Sequence, residues 1–155
     1  MPKTEGLVFP YAIKLKEGGA TETFPAIEIS FLSKEGEKFS LFLIIDSGAT
    51  ISALPKSDAK VLGIQPETGI PLSVSGISGE AVNGWKHKIA VYLGDKKIQL
   101  PVVFLDNEFA PRVLGREGIF DFFTIVFEEE KQRTGLLGKH SFLARGIRKI
   151  LDKLQ

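Results

Sequence analysis

A single aspartate stands where a run of apolar residues gives way to small ones. In the segment FLIIDSGATISALP, residues 42–55, four apolar residues lead directly into Asp46. The small residues that follow are Ser47, Gly48, Ala49 and Thr50. Because glycine has no Cβ, another backbone can come close to the carboxylate. Such a carboxylate could act as a general base on water, provided that a second carboxyl group serves as the acid.

The alternative interpretation of Asp46 is a turn residue, because an aspartate side chain readily accepts hydrogen bonds from nearby backbone N–H groups. Catalysis through a dyad instead needs two carboxyl groups at contact distance. Such a pair cannot ionise twice, so one proton is shared and the roles of acid and base separate. The sequence around Asp46 leaves both interpretations open.

The chain has few of the residues that other kinds of catalytic chemistry require. Cysteine is absent, which excludes thiolate chemistry and disulfides. The two histidines, His87 and His140, lie far apart and outside the spacings of metal ligands. We therefore expect no metal and no cofactor, and any chemistry must come from carboxylates.

Length and charge indicate an ordinary globular protein. The 155 residues fit one domain over 1–155, and Lys plus Arg outnumber Asp plus Glu by only 20 to 19. This balance favours neither nucleic acid nor a membrane as a partner. The first residues carry charge and proline where a secretion signal needs an unbroken apolar run, so we expect a soluble, cytoplasmic protein.

Strands dominate the pattern of apolar residues. Two segments alternate apolar and polar residues, AIEISF (26–31) and KIAVYL (88–93). Two more are apolar on both faces, as fully buried strands would be: SLFLII (40–45) and PVVFL (101–105). Turn signals lie at 16–20, 34–38 and 94–97. Many short strands at this spacing predict a β-sandwich or barrel.

Three helical pieces are predicted: a helix at 55–63, a short turn at 116–123 and a helix from Ser141 to the C-terminus. Ser141 is placed to cap the last of them. The apolar residues that share one face of this helix are Phe142, Leu143, Ile147, Ile150, Leu151 and Leu154. The favoured interpretation is a helix packed on its own domain, and a contact between copies of the chain is the second.

The segment around Asp46 resembles the active-site loop of the aspartic proteases, whose signature is apolar residues followed by Asp, Ser or Thr, Gly and Ala. The segment RVLGREGIF, 112–120, is similar to the Gly-Arg segment of the retropepsin-like, single-motif branch. Between them, VSGISGEAV, 74–82, has the position and chemistry of the flap, a hairpin that closes over substrate. The resemblance covers the chain from about Phe39 to Phe123, roughly half of it.

This resemblance implies an all-β fold, a closed acid-protease (retropepsin-like) barrel over 7–138 with short helices. A hairpin at 123–137 and an amphipathic C-terminal helix at 140–154 extend beyond the segments that carry the resemblance. The implied activity is that of an aspartic endopeptidase acting on a peptide or protein substrate. Since the chain holds one Asp motif, the second carboxyl must be Asp46 of another copy in a homodimer.

Roles for the active-site loop follow from the same resemblance. Asp46 supplies half of the dyad, and the hydroxyl of Ser47 joins the two loops across the dimer. Gly48 and Ala49 line the cleft beneath the substrate backbone. Thr50 stands where viral members commonly carry a second Asp that pairs with the Arg of the Gly-Arg segment.

The flap and the supporting segment are assigned in the same way. Ile77 and Ser78, between Gly76 and Gly79, form the tip of the flap, although this segment could be only a hairpin turn. The residues assigned structural roles behind the loop are Leu114, Gly115 and Arg116.

Two other functions remain open. The same fold could serve as a non-catalytic binding or assembly module, in which Asp46 forms no productive dyad. A β-barrel ligand-binding protein unrelated to proteases is the third possibility.

Overall fold

The structure is a computed structural model that describes residues 5–76 and 78–155. Strands form most of its regular structure. They are β1 Gly6–Pro10, β2 Ala12–Leu15, β3 Thr21–Phe24, β4 Ala26–Leu32, β5 Lys38–Ile45, β6 Ser52–Pro55, β7 Ile70–Ser75, β8 Ala81–Leu93, β9 Lys96–Leu105, β10 Val113–Leu114, β11 Phe123–Glu128 and β12 Arg133–Gly138. The helices are α1 Lys56–Val61, α2 Phe142–Lys153 and a single 3-10 turn at Pro66–Thr68.

Backbone contacts divide the chain into two compact units. The central unit comprises residues 28–118, and the terminal unit comprises the described residues of the two ends, 5–27 and 119–155. The mostly-β fold expected from the sequence is confirmed. One domain over 1–155 stays a prediction.

The central unit is built on a seven-stranded sheet with the strand order β4-β5-β10-β6-β9-β8-β7. In addition, β4 pairs with β8, opposing Ser30 to Tyr92 and Phe31 to Val91. The side chains enclosed by these strands form the core of the unit. Its largest fully buried members are Ile29, Phe31, Leu43, Leu54, Val91, Leu93, Leu100, Phe104 and Leu114.

The two strands that were predicted to be buried on both faces, β5 and β9, differ in how much of each is buried. Val102 to Leu105 of β9 are all buried, as predicted. For β5 the prediction is wrong, because Phe42 and Ile44 are 53% and 38% exposed while Leu43 and Ile45 point into the core. A continuous apolar run does not distinguish a strand buried on both faces from one that is covered on one face only.

Helix α1 is fixed to the central unit by a charged pair. The Asp58 side chain is only 6% exposed, and Arg112 donates two hydrogen bonds to it: Nε to Oδ2 at 2.7 Å and one terminal nitrogen to Oδ1 at 2.8 Å. The hydrogen bond with Asp58 is the main cause that raises the pKa of Arg112. The bidentate geometry satisfies both oxygens of a carboxylate that water hardly reaches.

Replacing Arg112 by Ala is expected to destabilise the protein by about 2 kcal/mol, because the buried Asp58 carboxyl group would lose both of its hydrogen-bond donors. The value is kept below that of a fully buried pair because the Arg112 side chain is 43% exposed. The measurement is urea unfolding, with Lys16→Ala as the control, since Lys16 and Glu22 form a half-exposed pair. Equal losses in both variants would show that the buried pair contributes nothing special.

The terminal unit contains the sheet β1-β12-β11 and the hairpin β2-β3. The β11-β12 hairpin confirms the one predicted at 123–137. The predicted cap of α2 is also confirmed, because the Ala144 N–H donates to Ser141 Oγ at 3.1 Å. The short turn predicted at 116–123 is present: residues 117–122 form turns, in which Ile119 O accepts from the N–H groups of Phe122 and Phe123.

Most of the apolar face of α2 is not packed on its own unit. Ala144 is the buried residue of the helix, while Phe142, Leu143, Ile150 and Leu151 are exposed. The favoured interpretation, a helix packed on its own domain, is therefore correct for the contact that buries Ala144 and half-buries Ile147, and wrong for the four exposed residues. Within the described residues, no helix has the length and apolar character needed to cross a membrane.

Candidate active site

The Asp46 loop is positioned by three neighbouring strands. Strand β10 runs parallel to β5, opposing Leu114 to Ile45, and antiparallel to β6, opposing Val113 to Ala53. The connection from β5 to β6 therefore passes over the end of β10. The buried Ile45 fixes the end of β5, and Asp46 is the first residue beyond it.

Backbone hydrogen bonds tie this loop to the segment around β10. They run from Asp46 N to Leu114 O at 3.0 Å, from Arg116 N to Ala49 O at 2.9 Å and from Glu117 N to Thr50 O at 2.8 Å. Both ends of the loop are thus attached to the same segment. An attachment of this kind restricts the directions in which the Asp46 side chain can point.

The Asp46 carboxylate is exposed at the surface of the central unit. Its Oδ1 accepts a hydrogen bond from the Gly48 N–H at 2.8 Å, and its backbone O accepts one from Ala49 N at 3.3 Å. The turn interpretation of Asp46 is therefore correct as a description of the local geometry. This turn engages only Oδ1 of the side chain, and Oδ2 has no hydrogen-bond partner among the described residues.

The rest of the loop presents small polar groups. Ser47, Gly48 and Thr50 are exposed and Ala49 is half-buried. Gly48 leaves little space for a side chain, since an added Cβ would lie 3.1 Å from Asp46 Oδ1. The loop therefore offers an open carboxylate oxygen and hydroxyl groups with little side-chain bulk around them.

A closely packed layer supports the loop from behind. Leu114 is fully buried, and the Gly115 N–H donates to the Oγ of the buried Ser52 at 3.0 Å. A Cβ on Gly115 would lie 2.4 Å from the carbonyl carbon of Ile51, so no larger residue fits there. The role of Ser52 was missed by the sequence reasoning, because nothing in ISALP marks a serine that accepts a hydrogen bond across strands.

Arg116 and Arg112 have different structural roles: Arg116 contributes its backbone N–H, and Arg112 contributes its side chain. The Arg116 side chain is exposed, and within residues 5–76 and 78–155 it has no ion-pair partner. Its backbone N–H, in contrast, holds the loop through Ala49. The ion pair to a helix is made by Arg112, four residues earlier, with Asp58 of α1. Sequence reasoning missed this pair, and the only available indication was an aspartate on the inner face of a short helix.

The candidate flap is the hairpin of β7 and β8, whose last pair opposes Ser75 to Ala81. Gly79 has a φ of +78°, which favours glycine, and its N–H donates to Gly76 O at 3.0 Å. Ser78 is exposed. Ile77, the other residue assigned to the tip, lies outside the described residues.

An apolar cluster connects this hairpin to the strand that follows the Asp46 loop. Its buried centre consists of Ala53, Val103 and Leu105. The partly buried residues around it are Ile51, Leu72, Val74, Val82 and Ala110. The hairpin and the loop thus share one packed base.

A polar cluster holds the start of α1. Lys56 Nζ lies 2.9 Å from Glu67 Oε1, 3.2 Å from Asp106 Oδ1 and 5.1 Å from the centre of the Trp85 ring. Hydrogen bonds to Glu67 and then Asp106 raise the pKa of Lys56, and the bond from Lys56 lowers the pKa of Glu67. Trp85 thus packs against a structural cation in this arrangement.

The central unit also contains a pocket away from the Asp46 loop. This pocket of about 330 Å³ is lined by residues such as Phe31, Leu62 and His87, and none of its lining residues belongs to the Asp46 loop. Among the described residues, no group of three or more Asp, Glu or His side chains is placed to hold a metal ion.

Two solved protease structures are similar to the structure of this chain. A retropepsin-like aspartic protease from Rickettsia conorii matches at a TM-score of 0.55 and 18% identity, over 86% of this chain and all 100% of its own. EIAV protease complexed with the inhibitor HBY-793 matches at 0.49 and 18%, over 64% and 88% of the two chains. No curated protein matches the sequence significantly.

The first of these likenesses confirms the predicted retropepsin-like fold. At the level of sequence, the family model described as Aspartyl protease matches residues 35–140. The matched range contains the Asp46 loop, the candidate flap and the segment of β10. The chain belongs to the aspartyl protease family.

Proposed function

We propose that this protein is a homodimeric aspartic endopeptidase, which hydrolyses peptide bonds with water activated by a dyad of two Asp46 side chains, one from each subunit. The observation that supports this most directly is the Asp46 carboxylate itself. It is exposed, it is held in a loop that backbone hydrogen bonds fix at both ends, and one of its oxygens is left without a partner among the described residues.

The dimer follows from the number of carboxylates. A dyad needs two, and the chain has one Asp-Ser-Gly-Ala sequence. A two-fold axis that passes beside the loop would bring together the same residue of two copies, as in any isologous contact. Ser47, exposed next to Asp46, is then placed to hydrogen-bond across the axis, and the small Gly48 and Ala49 leave room for a substrate backbone.

The proposed reaction needs one proton shared between the two carboxyl groups. The ionised carboxylate takes a proton from water as the water oxygen attacks the carbon of the peptide carbonyl. The protonated carboxyl group donates its proton to the carbonyl oxygen, which gives a neutral tetrahedral intermediate. When the C–N bond breaks, the carboxyl group that took the proton from water gives it to the nitrogen of the leaving amine. The other carboxylate takes a proton from one hydroxyl group of the intermediate, which becomes a carboxylic acid, and the dyad again shares one proton.

The surrounding strands fit this use. We propose that the additional pairing of β4 with β8 closes the central sheet into the retropepsin-like barrel, which would hold the loop rigidly. The hairpin of β7 and β8 would act as the flap, with Gly76, Ile77, Ser78 and Gly79 at the tip. By closing over an extended peptide it would exclude bulk water from the dyad.

The proposal is tested by cleavage of an unfolded protein mixture, read by mass spectrometry from acidic to neutral pH. Because each monomer holds half a site, the rate per mole of chain should rise with protein concentration and level off where sedimentation shows a complete dimer. Cleavage that is equally efficient in a dilution where only monomer sediments would contradict the shared dyad. The absence of cuts at every pH, in a protein that is fully dimeric, would contradict the peptidase.

A further inference from the structure

Helix α2 presents an apolar surface that nothing in its own unit covers. The exposed fractions of Leu143, Ile150, Leu151 and Leu154 lie between 46% and 78%. At 100° per residue these side chains fall on one side of the helix, with the half-buried Ile147 among them. Phe142, which is 68% exposed, lies outside this stripe, because the same spacing places it between Lys149 and Lys153.

The opposite side of the same helix is strongly basic. It carries Arg145, Arg148, Lys149 and Lys153 against the single acid Asp152, a net charge of +3. Since the whole chain has a net charge of +1, the remainder of the chain carries −2. Arg148 donates to the backbone O of Lys139 at 3.0 Å, and none of the four cations has an ion-pair partner among the described residues.

We propose that α2 binds to an anionic phospholipid surface, with its axis in the plane of the interface and its leucine and isoleucine side chains in the acyl boundary. This combination of a wide apolar stripe with a lysine- and arginine-rich polar side is what distinguishes interfacial helices. The cations would lie at the level of the headgroups, where each adds attraction to negatively charged lipid. The 12 residues of α2 span about 18 Å, so the helix lies on the bilayer and does not cross it.

Charge favours this occupant over a second copy of the helix. If the stripes of two α2 helices packed together, Arg148 and Lys153 at the edges of the stripe would face cations of the other helix. Like charges at these flanking positions oppose pairing. An anionic surface reverses the sign of the same interaction. The inference is independent of the proposed peptidase activity and revises the expectation that the chain meets no membrane.

The test is flotation of the full chain with vesicles made of equal parts phosphatidylcholine and phosphatidylglycerol, compared with vesicles of phosphatidylcholine alone. The protein should float with the anionic vesicles, bind the neutral ones much more weakly, and be released from the former as salt is raised. Failure to float with anionic vesicles at low salt would overturn the proposal, as would equal binding to both compositions.

Two double variants separate the contributions of the stripe and of the cations. Leu143→Ser with Leu151→Ser, and Lys149→Glu with Lys153→Glu, should each weaken binding by about tenfold or more. Lys88→Glu with Lys97→Glu makes the same change in net charge at exposed positions of β8 and β9, and should leave binding nearly unchanged. If the control weakens binding as much as the α2 charge variant, a general charge effect explains the result and the proposal fails.

A further readout excludes occupation by a second copy. Sedimentation of the wild type and of the Leu143→Ser, Leu151→Ser variant is compared without lipid. The expected result is the same association state for both proteins, because the stripe is free in solution. Dissociation of an oligomer by this variant would show that another copy covers the stripe and would overturn the membrane proposal.

Discussion

Asp46→Asn is expected to lower kcat/KM for peptide cleavage on the order of 10⁴-fold, because an amide can neither accept the proton of the attacking water nor deliver one to the carbonyl oxygen. The fold should be unaffected. Asp46 is exposed, and the Oδ1 of asparagine can still accept the hydrogen bond from the Gly48 N–H. Cleavage is measured on a peptide identified from the cut sites of the wild type, and stability by urea unfolding.

The matched control is Asp95→Asn, which makes the same chemical change at an exposed turn between β8 and β9. Full activity is expected for this variant. Substantial cleavage by a folded Asp46→Asn protein would contradict the dyad. Loss of activity together with a large loss of stability would contradict the local argument that the side chain makes only one replaceable hydrogen bond.

Mixing subunits extends the same prediction to the dimer. If chains exchange freely, an equimolar mixture of wild type and Asp46→Asn contains about a quarter wild-type dimers and half mixed dimers. When both carboxyl groups are needed, the mixed dimers are inactive and activity falls to about a quarter of that of the same total amount of wild type. Activity near one half would mean that each subunit works alone.

Sequence patterns predicted those parts of the fold that depend on local periodicity. The alternation in 26–31 and 88–93 and the turn residues between strands gave correct strands. The serine before the last amphipathic segment gave the correct cap for α2. These features are determined by residues close together in the chain, so a local pattern contains the necessary information.

Features that depend on tertiary packing were not predictable in this way. The exposure of Phe42 and Ile44 depends on what covers the outer face of β5, and the free apolar face of α2 depends on the absence of a neighbour within its unit. Likewise, the pair Asp58–Arg112 joins residues 54 positions apart. For the site, the motif predicted where Asp46 lies, but not that Ser52 and the backbone of Arg116 would hold its loop.

Gly115→Ala is expected to destabilise the protein by about 3 kcal/mol, a large effect for one methyl group. The added Cβ would lie 2.4 Å from the carbonyl carbon of Ile51 and 2.5 Å from its oxygen. These are backbone atoms, so no side-chain rotation can relieve the overlap. Either β10 or the residue that precedes β6 must move, and both positions are tied by hydrogen bonds. Urea unfolding measures the loss.

The control for Gly115→Ala is Gly146→Ala in α2, where an added Cβ has no neighbour within 4 Å. This change should raise stability by about 0.5–1 kcal/mol, because alanine favours a helix over glycine. A loss of stability in Gly115→Ala together with a gain in Gly146→Ala would show that the loss comes from the overlap of the added Cβ with the backbone of Ile51. A neutral Gly115→Ala would mean that β10 and the loop are packed less closely than the structure shows.

Gly115→Ala should also reduce cleavage under conditions in which the variant is still folded. The segment that must move includes Arg116 and Glu117, whose N–H groups hold the carbonyls of Ala49 and Thr50. A shift there is passed to the loop that aims Asp46, and a displacement of about 1 Å at a catalytic group can cost about 10²-fold in rate. A destabilised but fully active variant would show that the loop is held by Asp46 and Leu114 alone.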